Sequence, residues 1–405
     1  MLAEHPSGPS RIRRRIAAAL VATLSVITVV TGCVPSTRTH PALKDSAGWH
    51  EIAPPSRGAR TLVLAADDHR MLAFGSVPAG RGRAPAAWQV TELNNWQAIR
   101  TTPATGYGKQ AEFIMAAVAD NRISAFGQAY GGAHSNPRPT LWRGTTAGLV
   151  EHEQPITLLG GEDAIGQAAE SATRSLALIV GSWDPPGARY GAATWTSRDG
   201  VHWTRHSTPP GMASGPGEQT SALGVTDRSG GFLAAGQSLT GTGTVPLAWT
   251  SSNGATWLRS ALPLGATSDM RGATAVAPGA TAVTPVCGST SCVLIGNSTS
   301  VPSRLLCWKL PLRGSASIGA TAAAAGPGGS LVEPLQATID RGTVEVLARI
   351  DGRVRLFSVT PECAGWHETA LPAHAQIAAL AVLGGRLVIA TTGATASRLW
   401  TRATR

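Results

Sequence analysis

The chain has 405 residues, 43% of them hydrophobic and 14% charged, with 34 Lys and Arg against 24 Asp and Glu and a formal net charge of +10. That apolar fraction belongs to a folded globular protein and excludes a disordered or collagen-like chain, while 47 Gly and 27 Pro promise many turns. The positive charge is dispersed, without a Lys/Arg run beyond the first residues, so it leaves no footprint for a nucleic acid.

In chain order, Arg11, Arg13, Arg14 and Arg15 precede the apolar run Ile16 to Val30. A basic segment followed by a short apolar one has the layout of a secretory signal, and the run is shorter than the roughly 20 residues of a membrane-spanning helix. It ends in Val30-Thr31-Gly32-Cys33, which resembles the lipobox of bacterial lipoproteins. The resemblance implies cleavage before Cys33 and acylation of its thiol, placing the protein on the extracytoplasmic face of the cell membrane. Arg13 and Arg14 leave both the general and the twin-arginine export routes open. Residues 1–32 therefore read as a signal peptide, 33–45 as a lipidated N-terminus and flexible linker, and 46–405 as one folded domain.

Beyond the linker, Trp88, Trp142, Trp195, Trp249, Trp308, Phe357 and Trp400 recur in short apolar stretches roughly fifty residues apart. Upstream of each stands a buried-looking strand ending in a small residue: MLAFGS, ISAFGQ, LALIVGS, FLAAGQ, VLIGNS, VEVLAR and RLVIAT. A further apolar run and a polar turn precede these, giving four short strands per unit. No helical periodicity is sustained. The expected fold is all-β: a seven-bladed β-propeller of four-stranded antiparallel blades, with seven preferred over six or eight. The seventh unit ends at its third strand. The phrase Ala-Gly-Trp-His-Glu stands both at residues 47–51 and at 364–368, the latter in the fourth strand of unit six. The N-terminal copy is therefore expected to complete the last blade and close the ring, removing the open sheet edges. The Gly-rich AAAAGPGGS, Ala322 to Ser330, reads as a linker between blades.

Four cysteines follow Cys33, and in an exported chain they read as disulfides with three alternative pairings. Cys287 with Cys292 and Cys307 with Cys363 is the arrangement expected. A zinc site is disfavoured because no His lies at ligand spacing. Thr196–Trp203 (TSRDGVHW) and Thr250–Trp257 (TSSNGATW) share Ser-x-Asp/Asn-Gly-x-x-Trp, where Asp-Gly and Asn-Gly suit tight hairpin turns. This pattern resembles the Asp-box, or BNR-like, hairpin of sialidase-type propellers, and the whole chain resembles an actinobacterial exported propeller lipoprotein. In those families the box is a folding element and names no chemistry.

No catalytic constellation, cofactor motif or metal-ligand set stands out. The sialidase arginine triad and Arg-Ile-Pro segment are missing, and most acids stand at hairpin turns. The loops joining second to third strands gather Trp183, Tyr190, Tyr130, Arg138, Arg189 and His134 on one face. Aromatics and Arg on rigidly held loops are the usual anchors of recognition. The expected function is a monomeric, membrane-anchored binding or scaffold module for a protein or cell-envelope glycan, without a cofactor. The alternative is a divergent exported glycoside hydrolase using the central channel.

Overall fold

The computed structural model describes residues 48–66, 69–132, 135–264, 279–312 and 319–404. Cys33 and the rest of the expected leader and linker lie outside them, as does His134. The described residues form seven antiparallel sheets arranged as the blades of a propeller. Blades 1 to 6 are contiguous in sequence, beginning with Arg60–Ala66, Met71–Ala79, Gly82–Val90 and Gln97–Ile99 in blade 1. Blade 7 takes three strands from the C-terminus, and His50–Ile52 supplies its outer strand by pairing antiparallel with Ser397–Ala403. Blade 2 carries a fifth strand, Thr101–Thr102, parallel to Gly148–His152 on its outer edge.

The recurrent aromatic is the third-strand residue of every blade. Trp142, Trp195, Trp249, Trp308 and Phe357 are fully buried, with Trp88 and Trp400 nearly so. Three of the indoles also bind backbone of a crossover. Trp195 Nε1 donates to Leu158 O (2.7 Å), Trp249 Nε1 to Gly211 O (3.0 Å) and Trp308 Nε1 to Pro263 O (2.9 Å). All three acceptors lie on the crossover that leads into the same blade. A Trp at this position therefore fills the blade and pins its entry, two tasks that Leu would not combine.

The small residue ending each second strand has a separate cause. In blades 1 to 6 the inner strand carries a β-bulge opposite it, at Leu62, Ile114, Ala168, Leu223, Val283 and Leu335. A Cβ on Gly75 would stand 1.8 Å from Arg60 O, and one on Gly296 1.9 Å from Thr281 O. In blades 1, 3, 4 and 5 the bulge needs bare backbone there, because the inner-strand carbonyl occupies the place of a side chain, while blade 6 has Ala348. Bulges also bend the inner strands around the axis.

Two disulfides form in the expected pairing. Cys287–Cys292 closes the first hairpin of blade 5, and Cys307–Cys363 ties blade 5 to blade 6. One expectation is corrected. Most of the Gly-rich stretch 322–330 is the outer strand of blade 5, Ala324–Gly329, paired with Ser303–Pro311. The composition misleads because this edge strand must pass beneath Trp366: a Cβ on Gly326 would stand 2.6 Å from its ring.

Candidate binding groove and central channel

Second-to-third-strand turns and blade crossovers share one end of the ring, the upper face. First-to-second and third-to-fourth turns share the lower face. The five described residues of the six that sequence places on the upper face are not brought together. Trp183 is 2% exposed, because its ring points into blade 3 against Trp195 (6.1 Å between centroids) and lies under the Arg205 guanidinium (3.8 Å). It is core, not surface, and the expectation that it centres a binding face is corrected. Tyr190 is half-buried with its hydroxyl 3.0 Å from Ser221 Oγ, and Arg189 is exposed. Tyr130 is 52% exposed, and Arg138 is half-buried nearby on blade 2.

Blades 2 and 3 enclose a groove around Arg138. Its larger lobe, about 670 Å³, runs past Gln128, Asn136, Ile165 and Gln167. A smaller lobe of about 210 Å³ runs past Tyr107, His152 and Glu153, and Arg138, Pro139, Ile156 and Leu159 border both. Ile156 is 63% exposed and Ile165 44%, unusual for aliphatic side chains on a closed ring. Tyr107 was not singled out by sequence reading, because it sits in a crossover and not in a second-to-third-strand loop. Its loop is fixed by buried Glu151, whose carboxylate accepts Ala104 N (2.6 Å), Thr105 N (2.8 Å) and Thr105 Oγ1 (2.6 Å). The groove is thus a preformed feature with one wall held by an otherwise costly buried charge.

The central channel holds a different feature. Its lining is the bulge residues Leu62, Ile114, Leu223, Val283 and Leu335 with Ala168, around a cavity of about 410 Å³. Two residues after each bulge stand Leu64, Ala116, Val225, Pro285 and Ala337, but blade 3 has Glu170. Both Glu170 carboxyl oxygens are shut off from solvent without a hydrogen-bond partner, and the Ser124 hydroxyl that faces them from blade 2 also makes no well-formed bond. Burial pushes the Glu170 carboxyl up to about 7, with Ser124 acting weakly in the other direction. Setting the units under one another in sequence reveals this acid at a position where the other bulged blades are apolar.

The two Ser-x-Asp/Asn-Gly-x-x-Trp hairpins lie on the lower face and fold alike. Ser197 Oγ accepts Gly200 N (2.8 Å), and Asp199 Oδ1 accepts the amides of Val201 and His202 (2.8 Å each). Ser251 Oγ accepts Gly254 N (2.8 Å), and Asn253 Oδ1 accepts those of Ala255 and Thr256 (2.9 Å each). His202 and these backbone donors hold the Asp199 carboxyl well below the usual range. The glycines take φ of 74° and 69°, and Trp203 and Trp257 close the hairpins over the blades. The Ser and Asp or Asn oxygens are spent on the turn amides, so the boxes serve folding. Among the described residues no cluster of His, Cys, Asp and Glu could hold a metal ion, and no helix is long and apolar enough to cross a membrane.

No protein-family model matches the chain, and no curated protein matches it. Among solved structures it is similar to the polysaccharide lyase Uly1, with 10% identity and a TM-score of 0.50 over 92% of this chain and 95% of that one. It is also similar to the β-propeller domain of the Trilobed protease from Pyrococcus furiosus, with 11% identity and a TM-score of 0.46 over 85% of this chain and 93% of that domain. A glycosyl hydrolase from Bacteroides ovatus matches 63% of this chain and 86% of its own, with 11% identity and a TM-score of 0.37. These likenesses concern the fold.

Proposed function

We propose that the chain is an exported, lipid-anchored β-propeller whose upper-face groove between blades 2 and 3 binds a protein or glycan of the cell envelope. The observation that carries this reading is the groove itself: exposed Tyr107, Ile156 and Ile165 beside a half-buried Arg, with exposed Tyr130 on the same blade, on a rigid scaffold. Anchoring through Cys33 is supported by the lipobox resemblance, and two disulfides suit an oxidising compartment. The entry of the chain fits the same picture. His50 pairs with Thr401, near the lower end of the blade 7 third strand, so the described chain enters the ring on the face opposite the groove.

The glycosidase alternative receives less support. Such hydrolysis generally uses two carboxyl groups within about 10 Å of each other, whereas the described channel lining includes one carboxylate, Glu170. Cross-linking in intact membranes, followed by identification of captured partners, tests the proposal. Wild type should capture a partner from the membrane fraction, Tyr107→Ala/Tyr130→Ala should lose it, and Cys33→Ala should leave the membrane fraction. Unchanged capture by the double variant, or membrane retention of Cys33→Ala, would contradict the respective halves.

A further inference from the structure

The groove contains a guanidinium without an ion-pair partner. Among the described residues Arg138 has a ring contact but neither an ion pair nor a hydrogen bond, and its Nε is shut off from solvent with no acceptor. Four other arginines of the upper face each have a polar partner, although Arg60 Nε, like Arg138 Nε, is buried without an acceptor. Arg60 is 2.8 Å from Glu112, Arg259 is 2.6 Å from Glu218, Arg349 is 2.6 Å from Glu333, and Arg83 Nε donates to Ser76 Oγ at 2.6 Å. A guanidinium drawn partly out of water without an anion is costly, and the cost is relieved if a ligand supplies the anion.

The backbone around Arg138 is shaped to hold it there. Tyr130 is followed by Gly131 and Gly132; a Cβ on Gly131 would stand 2.5 Å from Tyr107 Cε1, and one on Gly132 2.8 Å from Arg138 Nη2. Tyr107 and Arg138, from different elements, are clasped against one stretch of bare backbone, the guanidinium carbon 5.6 Å from the ring centroid. This fixes the fork that pairs best with a planar carboxylate.

We infer that the groove takes a glycan whose sugars carry single carboxylate groups, with Arg138 pairing the carboxylate; this rests on reading the groove as the ligand-binding face. Three observations choose the class. Exposed Glu153 and Glu162 border the groove and repel a multiply charged phosphate or sulfate more than a single carboxylate. Tyr107, in the smaller lobe, is 40% exposed and offers a ring face for sugars, while the Gln128 amide, which donates to the hydroxyl of exposed Tyr130 at 2.8 Å, and the Asn136 amide border the larger lobe for hydroxyls. An extended peptide lacks its usual foothold, because the outer edge of blade 2 is already covered by Thr101–Thr102.

Calorimetric titration of the full chain with oligogalacturonate, with the same oligosaccharide reduced to its neutral alcohol, and with oligoglutamate tests the inference. Oligogalacturonate should bind, and both carboxyl reduction and Arg138→Gln should weaken binding about tenfold or more, the scale of one charge-assisted pair. The reduction arm uses wild-type protein, so it stands even if Arg138→Gln folds poorly. Equal affinity for acidic and reduced sugars, insensitivity of a folded Arg138→Gln, or binding of oligoglutamate with the same Arg138 dependence would overturn it. So would the absence of binding by all three probes. If the reduced sugar binds equally and Tyr107→Ala weakens it, the groove survives as the ligand face and the carboxylate inference alone fails.

Discussion

Glu170 shows most clearly what a single residue costs in this fold. An acid replaces the apolar residue of the other bulged blades, and its buried oxygens face Ser124. Its folded pKa, about 7, lies above the ordinary 4.5. Between those values the folded state holds a proton that the unfolded state has released. Stability is therefore greatest below about 4.5 and falls as pH rises to about 7, by an amount on the order of 3 kcal/mol. Urea denaturation should show Glu170→Gln matching wild type at pH 4.5 and exceeding it at pH 8. Parallel stability curves for the two proteins across that range would contradict the assignment. The acid was legible in the sequence only through its register within the repeat. Trp183 failed the other way: a Trp outside the repeat positions looked like a surface anchor, but strand alternation and the covering Arg205 put it in the core.

At the scale of the strand, the repeated Ala-Gly-Trp-His-Glu phrase has a full physical account. Gly48 and Gly365 take φ of 72° and 71°, turning the chain into the outer strands of blades 7 and 6. Glu51 then lies opposite Trp400 and grips Arg398 (2.6 Å), while Glu368 lies opposite Phe357 and reaches Arg355 (3.4 Å). The two Trp residues differ in their tasks. Trp366 covers blade 6 beside Phe357, whereas Trp49 is 5% exposed between blades 6 and 7 and donates to Ala370 O at 3.0 Å. It also lies 5.2 Å from the guanidinium of Arg402, which pairs with buried Glu345 at 3.2 Å. Trp49→Ala should lower unfolding free energy by about 3–5 kcal/mol, since it removes a buried ring and uncovers an ion pair. Glu51→Ala, which breaks an exposed pair, should cost under about 1 kcal/mol. Chemical denaturation distinguishes them, and equal effects would contradict this division of labour. Element recognition from sequence was good where Trp and Gly marked positions. It failed at Ala324–Gly329, where an edge strand with little side chain carries no apolar alternation to read.

The whole molecule is a ring, and its economy depends on closure. Each blade buries one face against its predecessor and the other against its successor, so a missing outer strand in blade 7 would leave an edge and an uncovered core. The sequence made this visible because the blades are near-copies and the one incomplete copy has its missing phrase at the other end. The groove was less visible. It is assembled from a crossover, a strand and a turn of blade 2 with the entry to blade 3, segments that break the repeat and so share no pattern. Its residues could be named only once the ring had placed Tyr107 beside Arg138. Closure also sets polarity: the chain enters blade 7 at His50 on the face of the Asp/Asn-Gly hairpins, and the groove opens on the other. Hydrogen exchange of the full chain, with and without solubilised cell envelope, reads this arrangement directly. Slowed exchange should appear in residues 103–111, 128–139 and 156–167, with the lower-face hairpins at 196–203 and 250–257 unchanged. Protection confined to those hairpins or to the channel strands, or none at all, would contradict the account.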